Sequence, residues 1–153
     1  MLKCPIHDVA PLLPHSGRMV LLEEILHYDA QSLQARTAIR PDCLLLPYGH
    51  SRLPSYLALE IMAQGIAAWA GIQALNRGEK VRLGFLLGSR KLSLFQANIA
   101  LDTPLRIDIA LSLQDETGMG IFDAALRDES DQHLILQGKL SVFSPSKPIQ
   151  ELA

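Results

Sequence analysis

Two polar residues, Glu60 and Gln64, stand one helical turn apart in an almost wholly apolar stretch, PSYLALEIMAQGIAAWAGIQALN, residues 54–76. The stretch predicts one long helix. Pro54 suits a first helical turn, where a missing N–H costs nothing. Gly78 suits the left-handed position just past the end, and Arg77 in the last turn is favoured by the helix dipole. Such a helix is roughly 30–35 Å long. Because it is apolar on nearly every side, it is predicted to be buried on nearly every side. A carboxyl group in that setting must find partners or keep its proton. Glu60 is therefore the first candidate for proton chemistry, with Gln64 on the same side. The plainer alternative is an ordinary salt-bridged carboxylate on a core helix. A membrane span fits by length alone. Glu60, Gln64 and Gln73 disfavour it, as do flanking segments that alternate apolar with polar residues like water-soluble strands.

The other titratable groups give weaker signals. His50 lies in the loop that feeds the helix, and His15 lies in LPHSG, where a structural hydrogen bond is expected and a catalytic role is the lesser alternative. His7, His27 and His133 read as exposed or at strand edges. Cys4 and Cys43 form neither a disulfide framework nor a metal pair at useful spacing, which fits a reducing cytoplasm. The formal charge is −2 with no block of like charge, and no basic stripe interleaves with aromatics, so nothing predicts nucleic-acid binding. The N-terminus lacks a continuous apolar run and a small-residue cleavage site, so no signal peptide is read there. At 153 residues, with 48% hydrophobic and 20% charged residues, the expectation is one globular domain over 1–145 and a loose C-terminal tail over 146–153.

The elements that must position Glu60 follow from periodicity. A short helical turn is expected within 8–13, then a first strand near 19–28. SLQARTAIR alternates cleanly, with Leu33, Ala35, Thr37 and Ile39 on one face, and Asp29-Ala30-Gln31 makes a hairpin link. Pro41 and Pro47 bracket a loop. After the helix comes VRLGFLLGSRKLSLF, a β-rich run whose Gly84 and Gly88 suggest bulges or a close backbone approach. LRIDIALSL, with Leu105, Ile107, Ile109, Leu111 and Leu113 on one face, is followed by MGIFDAALR and HLILQGKLSVF across the turns DETG and DESDQ. These three runs read as an antiparallel meander. One long helix and five or six strands make an α+β fold. A strongly curved sheet wrapped round the helix satisfies both, and a second subunit is the natural cover for the helix face left open.

Several motifs together resemble a known family. Gly49-His50, then Pro54 entering a helix that continues Glu60-Ile61-Met62-Ala63-Gln64, resembles the hotdog-fold 3-hydroxyacyl-ACP dehydratases. The opening LPHSGRMVLLEEI is similar to theirs, and GFLLGSRKLSLF occupies the position of their central strand. GFLLG at Gly84–Gly88, Gly118–Asp123 and Val142–Pro145 match more closely the dehydratase-like proteins encoded with aryl polyene or related fatty-acid-like clusters. The resemblance covers roughly residues 11–145. The family's loop after Gly-His is longer and ends in Pro-Gly. Here only Ser51, Arg52 and Leu53 separate His50 from Pro54, and Ser55 replaces the glycine.

The resemblance implies a hotdog fold and reversible dehydration of a 3-hydroxyacyl thioester carried on acyl carrier protein, in fatty-acid or polyene-type biosynthesis. It implies His50 as base, Glu60 as acid or water-positioning group, and the Ser55 N–H as donor to the thioester carbonyl, with His50 and Glu60 meeting across a dimer interface. Gln64 would orient the carboxyl, and Phe85, Leu86 and Gly88 would wall the acyl chain. No metal or organic cofactor is called for. The expected partners are the carrier protein, whose acidic surface would suit Arg52, Lys80, Arg82, Arg90 and Lys91, and a second hotdog chain, identical or paralogous. The shortened loop feeds an alternative, a weakly active or non-catalytic subunit that stabilises a partner dehydratase or binds acyl-ACP. A lesser alternative is an acyl-thioester hydrolase, since the fold serves both chemistries.

Overall fold

The computed structural model describes residues 1–145; the expected tail over 146–153 lies outside the described residues. A 3-10 turn at Ala10–Leu12 and another at Gly17–Met19 precede strands β1 (Glu24–Tyr28) and β2 (Ser32–Thr37). A short β3 (Arg52–Pro54) leads through a 3-10 turn at Ser55–Ala58 into helix α1, Leu59–Asn76. Then follow β4 (Phe85–Leu94), β5 (Asn98–Ala100), β6 (Leu105–Gln114), β7 (Met119–Asp128) and β8 (Leu134–Phe143). Six strands form one antiparallel sheet in the order β1-β2-β6-β7-β8-β4, curved around α1, and β3 pairs with β5 in a small separate ladder.

The sequence pattern accounts for most of this. Leu33, Ala35, Thr37 and Ile39 are all buried, as their alternation requires. Asp29 closes the β1–β2 hairpin by donating its N–H to Ser32 O at 3.0 Å, while its Oδ1 accepts from the Gln31 N–H at 2.8 Å. Gly78, at φ +75°, ends the helix: its N–H donates to Leu75 O at 3.0 Å, and the Glu79 N–H reaches back to Ala74 O at 2.9 Å. That pair of bonds is the Schellman arrangement, and it satisfies carbonyls that the helix itself cannot.

Two expectations need correction. The helix does not begin at Pro54, which closes β3. The first turn is instead the tighter 3-10 form, because the chain leaves a ladder with β5 before it can wind. The inward row on β6 does not run through Leu113. The register slips between Leu111 and Leu113, and Leu113 is 61% exposed. A bulge moves every later side chain to the opposite face. As expected of a single chain, α1 keeps one face open. Its sheet side carries Ile61, Met62, Ile66, Ala68, Trp69 and Ile72, all buried, but Glu60 is exposed and Ala63, Ala67 and Ala70 are only half-buried.

The chain ahead of β1 is fastened to α1 at two points. Gly71 lets the backbone of Leu12 lie directly on the helix; a Cβ there would sit 1.8 Å from the Leu12 carbonyl oxygen. Two turns nearer the helix start, the buried Gln64 holds the next part of the strap. Its Oε1 accepts from the Leu21 N–H at 2.6 Å and the Leu22 N–H at 3.1 Å, and its Nε2 donates to Met19 O at 2.7 Å. The Thr37 hydroxyl donates to Leu21 O from the other side.

Gly71→Ala forces backbone apart, so the expected loss is about 2 kcal/mol or more, read as a fall in Tm of roughly 5 °C or more. Gln64→Leu keeps the volume but leaves two N–H groups and a carbonyl without partners. The expected loss is about 3 kcal/mol, read from the denaturant midpoint at unchanged m-value. A loss below about 1 kcal/mol in both variants would show that the strap is not held this way.

Candidate active site

The open side of α1 forms one wall of a cavity of about 560 Å³. Leu57, Glu60, Ala63, Ala67 and Ala70 line it at three- and four-residue spacing, the spacing of a single helix face. Alanines at three of those positions leave the volume open. Phe85 and Leu86 at the start of β4, with Val142 at the end of β8, form the sheet wall. Pro14, His15, Met19 and Leu21 come from the strap, and Leu44 and Leu45 from the loop before β3. The lining is chiefly apolar, as an acyl chain requires.

Its titratable residues are His15, Glu60 and Arg82. Arg82 donates from Nη2 to Glu79 at 3.2 Å. Arg77 beside Glu79, with Arg82 adding to its field, holds that carboxyl below the usual range. The Nδ1 of His15 is buried and has no hydrogen-bond partner among the described residues. The structural hydrogen bond expected of His15 is therefore not made at that nitrogen.

The residues expected to form a site separate into two groups. Glu60, Gln64, Phe85 and Leu86 lie around this one cavity. Gly88 does not line it and has open space where a Cβ would be; Gly84 lines the cavity instead. Gln64 does not orient Glu60, because its amide is committed on both sides to the backbone of Met19, Leu21 and Leu22. The Ser55 N–H is not free for a substrate carbonyl, since it donates to Ala97 O at 2.9 Å. Ser55 is wholly buried, and its hydroxyl has no partner. His50 is exposed on its loop, with its N–H donated to Pro47 O, and does not line the cavity of its own chain. Arg82 and Ser144 are lining residues that sequence reasoning did not bring here, and His15 and Gly84 are ones it weighed only as lesser possibilities. Pro14-His15 beside an apolar run was a visible signal for His15, but nothing local to the sequence shows that Gln64 draws that segment onto the helix.

One further cluster has metal-ligand residue types. Asp128, Asp131 and His133 each bring a ligand atom within 4.8 Å of the others. They sit in the β7–β8 turn, where Asp128 accepts from the Ser130 N–H and Asp131 from the His133 N–H, so the turn itself explains them. None lines the cavity.

Comparison with known proteins agrees with this architecture. The structure of the dehydratase heterocomplex ApeI:P from Xenorhabdus doucetiae superposes with a TM-score of 0.82 at 29% identity, covering 95% of this chain and 94% of that one. AziG of S. sahachiroi shares the fold at TM-score 0.59 and 15% identity, over 79% of this chain and 89% of its own. A hypothetical thioesterase with coenzyme A from Streptococcus pneumoniae TIGR4 does so at TM-score 0.60 and 15% identity, over 79% and 84%. The last two likenesses are of fold alone. No curated protein matches. The family model for ApeP-like proteins, described as ApeP dehydratase, matches residues 7–153, and the chain therefore belongs to the ApeP-like dehydratase family.

Proposed function

We propose that this chain is a subunit of a 3-hydroxyacyl thioester dehydratase that forms a 2-enoyl thioester on acyl carrier protein, in polyene-type or fatty-acid biosynthesis. The observation that carries the reading is the cavity itself. An apolar slot of about 560 Å³ along a helix presents a single carboxyl, Glu60, among its lining residues. Loss of water from a 3-hydroxyacyl group needs an acid at the leaving hydroxyl and an apolar wall beyond it, and Glu60 among Ala63, Ala67 and Phe85 supplies both. Arg82 at the cavity, with exposed Arg90 and Lys91 on β4, suits an acidic carrier.

A second hotdog chain completes the assembly in this reading. Among the described residues β4 pairs only with β8, which leaves its other edge unpaired, and Leu87, Leu92 and Leu94 on it are exposed with Phe95 just beyond. A bare apolar edge is a template for another strand. A strand added there would place β4 inside a continuous sheet and close the open face of α1. The similar ApeI:P structure is that of a dehydratase heterocomplex. One specific observation supports the alternative of a non-catalytic partner subunit. The Ser55 N–H, which would have held the thioester carbonyl, is already bonded to Ala97 O.

The test is dehydration of a short 3-hydroxyacyl-ACP by the purified chain, alone and mixed with a second hotdog dehydratase. The expected result is activity that Glu60→Gln lowers by about a hundredfold or more, the scale of losing a general acid, with the Tm unchanged. Activity of the mixture that is indifferent to Glu60→Gln would assign this chain to the partner role.

A further inference from the structure

We infer that Ala67 and Ala70 set the length of acyl chain that the cavity takes, with Ala70 marking a limit of roughly fourteen carbons. The inference rests on the dehydratase reading above and names the substrate length for it.

The cavity has a direction. Its mouth lies at the Glu60 end, where Glu60 and the lining residues Met19 and Leu44 are exposed. Its other end lies near the last turns of α1. There the Glu79 N–H donates to Ala74 O at 2.9 Å, and Arg82 donates to the Glu79 carboxylate at 3.2 Å. Arg82 and Ala70 both line the cavity at this end, together with Gly84 and Ser144, and the Ser144 hydroxyl donates to Leu83 O at 3.4 Å. The far end is thus built from polar groups already bonded within the chain. Between the two ends the flank is fixed, because the strap lies along α1 from Gln64, which holds Met19–Leu22, to Gly71, on which Leu12 rests. Leu86 and Val142, paired in the β4–β8 ladder, stand on the sheet side.

The helix gives the cavity its scale. Glu60 has to meet the 3-hydroxyl, so C3 of the substrate sits at its level. Ala70 is ten residues further on, about 15 Å along the axis. An extended hydrocarbon chain advances about 1.2 Å per C–C bond. With space kept for the terminal methyl, about eleven carbons fit past C3, an acyl group of roughly fourteen. The volume agrees. A methylene takes about as much space as a water molecule, so eleven occupy about 330 Å³, and the cavity of about 560 Å³ leaves room for the reacting end.

The two alanines are placed to control that depth. Both are half-buried and face the cavity, whereas Ala68 and Ala74 are buried. A larger side chain at 67 or 70 therefore grows into the path of the acyl chain and leaves the packed side of α1 undisturbed.

The test uses the full chain, with its hotdog partner if the parent requires one, on 3-hydroxyacyl-ACPs of four, eight and fourteen carbons, and each variant's Tm is measured. The parent is expected to dehydrate all three. Ala70→Leu closes the last turn, leaving about four methylenes in water at about fourfold each, so kcat/KM for the fourteen-carbon substrate is expected to fall about a hundredfold or more while the shorter two stay within about threefold. Ala67→Leu, one turn nearer Glu60, is expected to lower the eight-carbon substrate as well, by about tenfold, and to spare the four-carbon one. Ala70→Val replaces Ala70→Leu if the latter does not fold. An Ala70→Leu variant that lowers all three lengths alike shows that the slot holds the pantetheine arm, and overturns the inference. So does one that leaves the fourteen-carbon rate within about threefold, or a parent that rejects that substrate. In each case turnover of the four-carbon substrate by the parent leaves the dehydratase reading standing. If the parent dehydrates none of them, that reading fails, and affinity for saturated acyl-ACPs of the same lengths decides the inference. Selective loss of fourteen-carbon binding in Ala70→Leu supports it, and the absence of a length-selective loss overturns it.

Discussion

A helix that is apolar on every side must be covered on every side, and the rest of this structure is arranged around that demand. Six strands curve around α1 and bury Ile61, Met62, Trp69 and Ile72. The chain ahead of β1 covers another flank, laid against Gly71 and bonded to Gln64. What remains open is one narrow face with Glu60, Ala63, Ala67 and Ala70. The small side chains on that face are what make it a cavity. Larger ones would have filled the space and left a solid core with a carboxylate at its rim.

Much of the fold was legible because it depends on local periodicity. Alternation placed Leu33, Ala35, Thr37 and Ile39 inward, and Gly78 marked the helix end at the left-handed conformation it adopts. The failures occur where a distant segment competes for the same backbone group. Ser55 reads as a helix-start donor until Ala97, more than forty residues later, takes its N–H. Gln64 reads as a companion to Glu60 until Met19, Leu21 and Leu22 claim its amide. A slip at Leu111–Leu113 turns Leu113 outward although its spacing is perfectly regular. No short-range pattern carries these competitions, because each is decided by which partner arrives across the fold.

The candidate site divides in the same way. Glu60 stands out as a single carboxyl in an apolar run, a signal contained within the helix. His15 reaches the cavity only because Gln64 holds the strap on α1, which no pattern local to the sequence shows. The expectation that it makes a structural hydrogen bond was the ordinary one for a histidine beside a turn, and the bare Nδ1 is what departs from it.

The open face also bears on how the assembly divides its labour. Water excluded from the cavity strengthens every polar interaction within it, and a single chain leaves Glu60 exposed. In the proposed assembly the missing wall comes from a second chain, and among the described residues the unpaired edge of β4, with Leu87, Leu92 and Leu94 exposed, is a long sheet edge that adjoins the cavity through Phe85 and Leu86. In the assembly proposed above, the second chain supplies enclosure and holds the carbonyl, which the engaged Ser55 N–H does not do. Such a partner need not repeat this chain's residues at those positions. It need only match the edge strand and bring free N–H groups to the thioester. An arrangement of that kind lets two unlike hotdog chains diverge in sequence while sharing one closed chamber.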